Sequence, residues 1–312
     1  MKLARFIIIA ASAAAALPMA HCASTGASFL TIDPSARTSA LGNAGNAIVG
    51  DSSSLFINPA GLGHSMGSEM MTTYSRLFMD SSYSSIGFVH SLNSLARSSA
   101  LGVSVVYLNY GSFDGHSPDS SSSGSFGASD MALGLSYGLM LGAGVTAGVT
   151  ARAIQEQIET SSARTVSFDA GMQIPMPLKG LALGLALRNA GPGVKFINER
   201  APLLTSAEMG FGFTIGRFVL MSNAVTTLST GKSNFGFGTE LQLASGLNLR
   251  TGYLLASEER TAGSAAGGLS RWADFSAGIG LHLGRYQFDY SFVPHAELGV
   301  SQFFTMSARF AR

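Results

Sequence analysis

Residues 181–188 place a large apolar side chain at every second position: Leu181, Leu183, Leu185 and Leu187 alternate with Ala182, Gly184, Ala186 and Arg188. Tyr286, Phe288, Tyr290 and Phe292 alternate in the same way with Gln287, Asp289 and Ser291. Phe304, Met306, Ala308 and Phe310 repeat the rhythm near the C-terminus. A period of two is that of a β-strand with one apolar and one polar face. Large apolar residues on one face, with Gly, Ser and single charges on the other, suit a barrel whose outside meets lipid.

A transmembrane helix does not account for the pattern. The most apolar stretch of the barrel region, Leu133 to Ala151, places its large side chains at odd positions (Leu133, Leu135, Tyr137, Leu139, Leu141, Val145), Met140 apart, and carries five glycines. It reads as two strands around Gly142-Ala143-Gly144. Charged residues make up only 12% of the chain, against about 25% in an ordinary soluble domain. A soluble surface needs more charge than that. A net charge of +1 gives no electrostatic footprint for nucleic acid.

The N-terminus reads as an export signal over residues 1–27. Lys2 and Arg5 open it, Phe6 to Ala16 form its apolar stretch, and small residues follow. Cys22, the one cysteine, falls in the cleavage zone and either carries a lipid or leaves with the signal; His21 before it is not the small residue that lipidation favours.

From 67 to the C-terminus, runs and breakers divide the chain into about fourteen strands, most with the length needed to cross a membrane at a tilt. Short turns such as Gly216, Ala244 to Gly246 and Gly284-Arg285 alternate with longer polar connections: Gly111 to Gly127, Ala190 to Leu203, Ser257 to Arg271 and Pro294 to Ser301. Loops sorted by end are a property of outer-membrane barrels. The expected fold is therefore all-β: a transmembrane antiparallel β-barrel in the cell outer membrane. Membrane lipid and the barrel-assembly machinery are its expected partners.

The polar face carries Arg152, Asp169, Arg188, Glu208, Glu240, Arg250, Asp289 and Arg309, all expected in the lumen. Glu240 and Arg250 fall nearly opposite each other across a three-residue turn. The set reads either as a pairing network that stiffens the wall or as a path for a ligand or ion.

Residues 28–66 lack alternation and cannot extend the wall, yet Leu55, Phe56, Ile57 and Leu62 need cover. Pro59 keeps Asn58 out of helix, and Gly61 can take a left-handed turn. The segment is expected to plug the lumen, with Asn58, Pro59, Ala60 and Gly61 as its hinge or anchor. The alternative is an inert foot beneath the barrel.

The string Ala36-Arg37…Leu41-Gly42…Ala44-Gly45…Ala47…Asp51…Asn58-Pro59-Ala60-Gly61-Leu62 resembles the N-terminal signature of the PorV/PorQ family of outer-membrane proteins. Its Asn-Pro-Ala element is similar to that of the related FadL-type transporters. Leu183 to Gly191 and Phe288 to Gly299 agree with the same resemblance. The resemblance implies a fourteen-stranded barrel with an N-terminal hatch containing Asn58-Pro59-Ala60. It also implies passage of hydrophobic small molecules or, as in PorV, a type IX secretion role that engages exported proteins. A purely structural barrel is the third reading.

Enzymatic motifs lack their context. Gly134-Leu135-Ser136-Tyr137-Gly138 matches a nucleophile pattern that needs a strand–turn–helix elbow, whereas Ser136 sits inside an alternating strand. Gly142 to Ala147 loosely resembles a dinucleotide fingerprint with no helix after it. His64, His90, His116, His282 and His295 have no ligand-like spacing. No enzyme activity, metal or cofactor is expected.

Overall fold

The computed structural model describes residues 25–48, 50–77, 81–92, 98–116, 122–196, 199–256, 274–295 and 299–310. The expected export signal, apart from residues 25–27, and Cys22 with it lie outside the described residues.

Alternation becomes strand throughout. In chain order the strands are β1 (Ser68–Arg76), β2 (Ser82–Ser91), β3 (Ser99–His116), β4 (Ser122–Gly142), β5 (Val145–Ile158), β6 (Ser161–Pro175), β7 (Leu181–Ala190) and β8 (Val194–Phe196). They continue with β9 (Glu199–Ala201), β10 (Ser206–Ile215), β11 (Phe218–Thr227), β12 (Ser233–Ala244), β13 (Leu247–Ala256), β14 (Phe275–Leu283), β15 (Tyr286–His295) and β16 (Gly299–Phe310). Fourteen of them close an antiparallel barrel, in which β7 pairs with β10 and β1 with β16. The seam runs from Ser68↔Phe310 to Arg76↔Gln302, so no edge is left open. The two short strands, β8 and β9, form a hairpin of their own.

Large side chains cover the outside: Leu133, Leu135, Phe168, Phe237 and Phe304 are all more than half exposed. Ser, Thr, Gly and buried charges take the opposite parity. This is the inverse of a soluble domain and is what a lipid environment requires.

One end of the barrel carries two-residue turns between β4 and β5, β10 and β11, β12 and β13, and β14 and β15. At the β12–β13 turn, Gly246 has φ +98 and approaches the His282 carbonyl, a conformation and a space that only glycine fits. The opposite end carries the long connections between β7 and β10 and between β13 and β14. By the usual sorting of loops, this loop end faces outward and the turn end faces the periplasm.

Several expected loops are shorter than the sequence suggests. The polar stretch from Gly111 to Gly127 is mostly strand, because β3 and β4 continue as a paired arm up to His116↔Ser122. Backbone pairing persists there without the apolar alternation that normally marks it. The connection from Ala190 to Leu203 contains the β8–β9 hairpin. The expected loop from Pro294 to Ser301 shrinks because β15 reaches His295 and β16 starts at Gly299. The expected loop from Ser257 to Arg271 lies outside the described residues.

Candidate functional site

The non-alternating N-terminal segment lies against the inner face of the wall. Gly26 forms a parallel bridge with Leu203 near the loop end. Gly63, close to the end of the segment, sits beside Leu139 and Thr146 near the turn end. Short helical turns fold the chain between these points: Ser28–Thr31, Ala36–Ser39, Ser52–Leu55 and Pro59–His64. Asp51 caps the third by accepting the Ser53 amide at 3.0 Å, and Asn58 caps the fourth by accepting the Ala60 amide at 3.1 Å. Both are ordinary helix-start chemistry, with Pro59 at the first helical position. Leu55, Phe56, Ile57 and Leu62 are all buried.

Asn58 does more than cap. It is fully buried, and its Nδ2 donates to Asn46 Oδ1 at 2.6 Å and to the Asn46 carbonyl at 3.0 Å. The Met172 and Leu185 carbonyls of β6 and β7 lie at 3.5 and 3.4 Å from the same nitrogen. One expected detail is different. Gly61 is not a left-handed bend; it lies inside the Pro59–His64 turn, and its φ is not positive. The bend comes from extended Asn58, with φ −149, entering a helical turn at Pro59.

The inward glycines explain how the segment fits. A Cβ at Gly138 or Gly148 would come within 3 Å of Leu62 or Pro59, and at Gly171 or Gly184 within 3 Å of Asn58 or Asn46. On the far side of the barrel, Gly236 and Gly252 meet Gly42 in the same way. Glycine at these positions lets the backbone of the segment lie directly on the wall. Part of the 38-glycine composition is thus a contact surface.

Buried charges add two ionic clusters. In the first, Arg250 Nε lies 2.6 Å from Glu240 Oε2 and its Nη1 lies 2.5 Å from Asp289 Oδ1. Glu240 and Arg250 are direct cross-strand partners. Arg37, from the segment, meets Glu240 with two parallel bonds of 3.0 Å and approaches Asp51 at 3.5 Å. In the second, Arg152 pairs with Asp169 and donates to the Leu55 carbonyl at 3.2 Å. Arg188 pairs with Glu208 at 3.1 Å and reaches the Leu30 carbonyl at 3.4 Å. Both clusters therefore join wall to segment. Arg309 is the exception among the eight expected lumenal charges. Its side chain is 58% exposed at the turn-end mouth, where it pairs with Glu69 at 2.9 Å. It keeps the inward parity, but the strand has run past the filled part of the lumen.

Arg37 and Asp51, on the segment, are contributors that the alternation could not point to, whereas Glu69 has the inward parity of β1 and was overlooked. Glu69 also accepts from the Ser52 hydroxyl at 2.7 Å, which ties the segment to β1. Burial works against the charge on Arg37, but Glu240 and Asp51 outweigh it and hold its pKa above the ordinary value.

Two cavities lie above the segment and share Thr31, Asp33, Asn43, Asn234 and Leu254. The first, of about 380 Å³, is bounded by Leu30, Phe56, Ile57, Val225, Arg188, Glu208 and Asn223. The second, of about 360 Å³, is bounded by Ile32, Leu77, Phe275, Val293, Phe303 and His295. Their walls include Thr230, Lys232 and Asp274 from the loop end, so they form an outward-facing vestibule with Asp33 between the two lobes. Burial pushes the Asp33 carboxyl up to about 6, against hydrogen bonds from Thr38 and the Ser35 amide. Burial also lowers the pKa of His64, at the other end of the segment.

Ser136 is buried in the wall and shares a 2.8 Å hydrogen bond with Thr150. No group of three or more His, Cys, Asp or Glu residues among the described residues is arranged to hold a metal.

Neither protein-family models nor curated protein sequences give a match to this chain. Solved structures do. The Ralstonia pickettii toluene transporter TbuX is similar with a TM-score of 0.63 at 12% identity, over 90% of this chain and 98% of that one. The monoaromatic hydrocarbon channel CymD is similar with a TM-score of 0.61 at 9% identity, over 91% and 99%. A Pseudomonas aeruginosa FadL homologue gives 0.55 at 12% identity, over 94% and 99%. At these identities the likeness is one of fold. The chain is a closed fourteen-stranded barrel of the kind seen in FadL-type outer-membrane hydrocarbon transporters, and its place is the outer membrane.

Proposed function

We propose that this barrel admits hydrophobic small molecules from outside into the two-lobed vestibule, and that residues 28–66 form the gate beneath it. The observation that carries the reading is the arrangement itself: a closed wall, a segment docked by buried charges and Asn58, and two cavities between that segment and the loop end of the wall. A dry cavity of about 150 Å³ is enough for benzene, so each lobe has room for a single-ring aromatic or a short chain. The lining of the first lobe pairs apolar Leu30, Phe56, Ile57, Val225 and Leu254 with polar Arg188, Glu208 and Asn223. That pairing suits a cargo with an apolar body and a polar end. The likeness in fold to proteins described as toluene and hydrocarbon transporters supports the same class.

The test is displacement of a fluorescent fatty-acid probe from detergent-purified protein by toluene and by decanoate. One saturable site is expected, weakened by Val225→Trp, which fills the first lobe. Absence of saturable binding in protein that is demonstrably folded would reject the reading.

The second reading is a PorV-like role with exported proteins, in line with the resemblance of the N-terminal string. It is favoured by the β3–β4 arm, which carries exposed Phe113 and Phe126 with ring centroids 5.6 Å apart. Co-purification of exported proteins, lost on Phe113→Ser/Phe126→Ser, would support it over transport.

A further inference from the structure

The outer surface carries a second constructed feature, unrelated to the lumen. On β5 the outward positions are small: Ala151 and Ala153. Their cross-strand neighbours are large: Leu135 and Leu133 on β4, Phe168 and Val166 on β6. A central strand of alanines between two strands of bulky residues makes a trough on the lipid face. It appears as two adjoining grooves, about 440 Å³ over Ala151 and about 590 Å³ over Ala153. The lower groove is lined almost wholly by apolar side chains.

At the loop end the trough meets three cations. Arg164 stands one row above Val166 and is held by Gln155, whose Oε1 accepts its Nε at 3.0 Å. The β8–β9 hairpin closes over the same spot, anchored where the Pro192 carbonyl accepts Thr165 Oγ1 at 2.5 Å. Lys195 and Arg200 of this hairpin are direct cross-strand partners and line the upper groove together with Arg164. Like charges placed directly opposite on one face are unfavourable unless an anion lies between them. Among the described residues none of the three forms an ion pair. Val194, between them and the lumen, is buried against Gly26, so the orientation of the hairpin is fixed.

We infer that this trough and its basic rim bind one phosphorylated lipid of the outer leaflet, with an acyl chain along Ala153 and Ala151 and the phosphate held by Arg164, Lys195 and Arg200. The apolar trough commits the site to a lipid rather than to free phosphate. The level also fits, because the cations stand where the apolar band ends at the outward end of the barrel. The inference rests on the membrane-spanning fold and not on what the lumen carries.

Native mass spectrometry of the detergent-purified protein, with dioleoyl phosphatidic acid and dioleoyl phosphatidylcholine in competition, tests it. One phosphatidic acid should remain bound in preference to phosphatidylcholine. Arg164→Gln/Lys195→Gln/Arg200→Gln should weaken that binding by about tenfold or more. Lys179→Gln/Arg217→Gln/Arg285→Gln, the same charge change at the turn end, should leave it unaltered. Ala151→Phe, which blocks the trough without touching a charge, should also weaken it. Equal loss in both triple variants would mean general charge attraction and overturn the site. Full competition by inorganic phosphate, or indifference to Ala151→Phe, would overturn the lipid assignment. Heat-dependent gel mobility confirms that each variant is a closed barrel.

Discussion

Arg37 shows how one residue can join two parts of a chain. Its guanidinium meets Glu240, 203 positions away, in a bidentate pair, and Glu240 also holds Arg250. Charge-assisted bonds of this kind contribute about 1.5–3 kcal/mol each when the partner is left unsatisfied. Arg37→Met and Glu240→Gln should therefore each lower the temperature at which the heat-dependent gel shift is lost. The double variant should lose clearly less than the sum of the two, since both remove one interaction. Strict additivity would mean that the pair does not hold the segment. Asp33 makes a pH-dependent contribution. Its carboxyl titrates near 6 in the folded protein, above the 3.8 of an unperturbed aspartate. The folded state thus keeps a proton that the unfolded state has released, so this residue's contribution worsens as pH rises from about 4 to 6 and is fully unfavourable above that. Asp33→Asn should flatten the pH dependence of the same midpoint in this window and raise the midpoint at pH 7. The lipid face has its own residue-scale test. Leu185→Arg should cost about 2–4 kcal/mol and impair assembly. Asn234→Arg, pointing into the vestibule, should be tolerated. The inward neighbour Ala186 is no suitable comparison, because it is buried over a filled lumen.

At the scale of elements, the strands of the wall were legible because a strand that is lipid-facing on one side must alternate. The phase of that alternation also placed Arg152, Asp169, Glu208, Glu240, Arg250 and Asp289 on the inner face, and a short turn was enough to bring Glu240 opposite Arg250. The arm of β3 and β4 was not legible. Its Ser- and Gly-rich sequence lies beyond the apolar band, where neither face is under pressure to be apolar, and only backbone pairing defines it. The β8–β9 hairpin, with three residues in each strand, is too short for any period to register. The role of Arg37 was hidden for a different reason: its partner is distant in sequence and lies on another element. The inward glycines were visible as composition, but their meaning depends on what faces them. Gly171→Val should drive a methyl into Asn58 and loosen the segment, seen as faster proteolysis within residues 28–66. Gly50→Ala, whose added carbon would meet only His64 Cβ at 3.5 Å, should leave proteolysis unchanged.

The whole molecule consists of a closed wall and a segment that covers its inner surface. The wall satisfies its backbone in the sheet and shows lipid an apolar face. The described part of the segment lies against the inner face of the wall from Gly26 near the loop end to Gly63 near the turn end. We propose that the segment keeps the pore closed. Single-channel conductance in planar bilayers, compared between the native protein and a variant lacking residues 28–62, tests this most directly. The native barrel should be essentially silent. The shortened barrel, shown to be folded by its heat-dependent mobility, should open a steady ohmic pore. A folded deletion variant that stays as silent as the native protein would contradict the account.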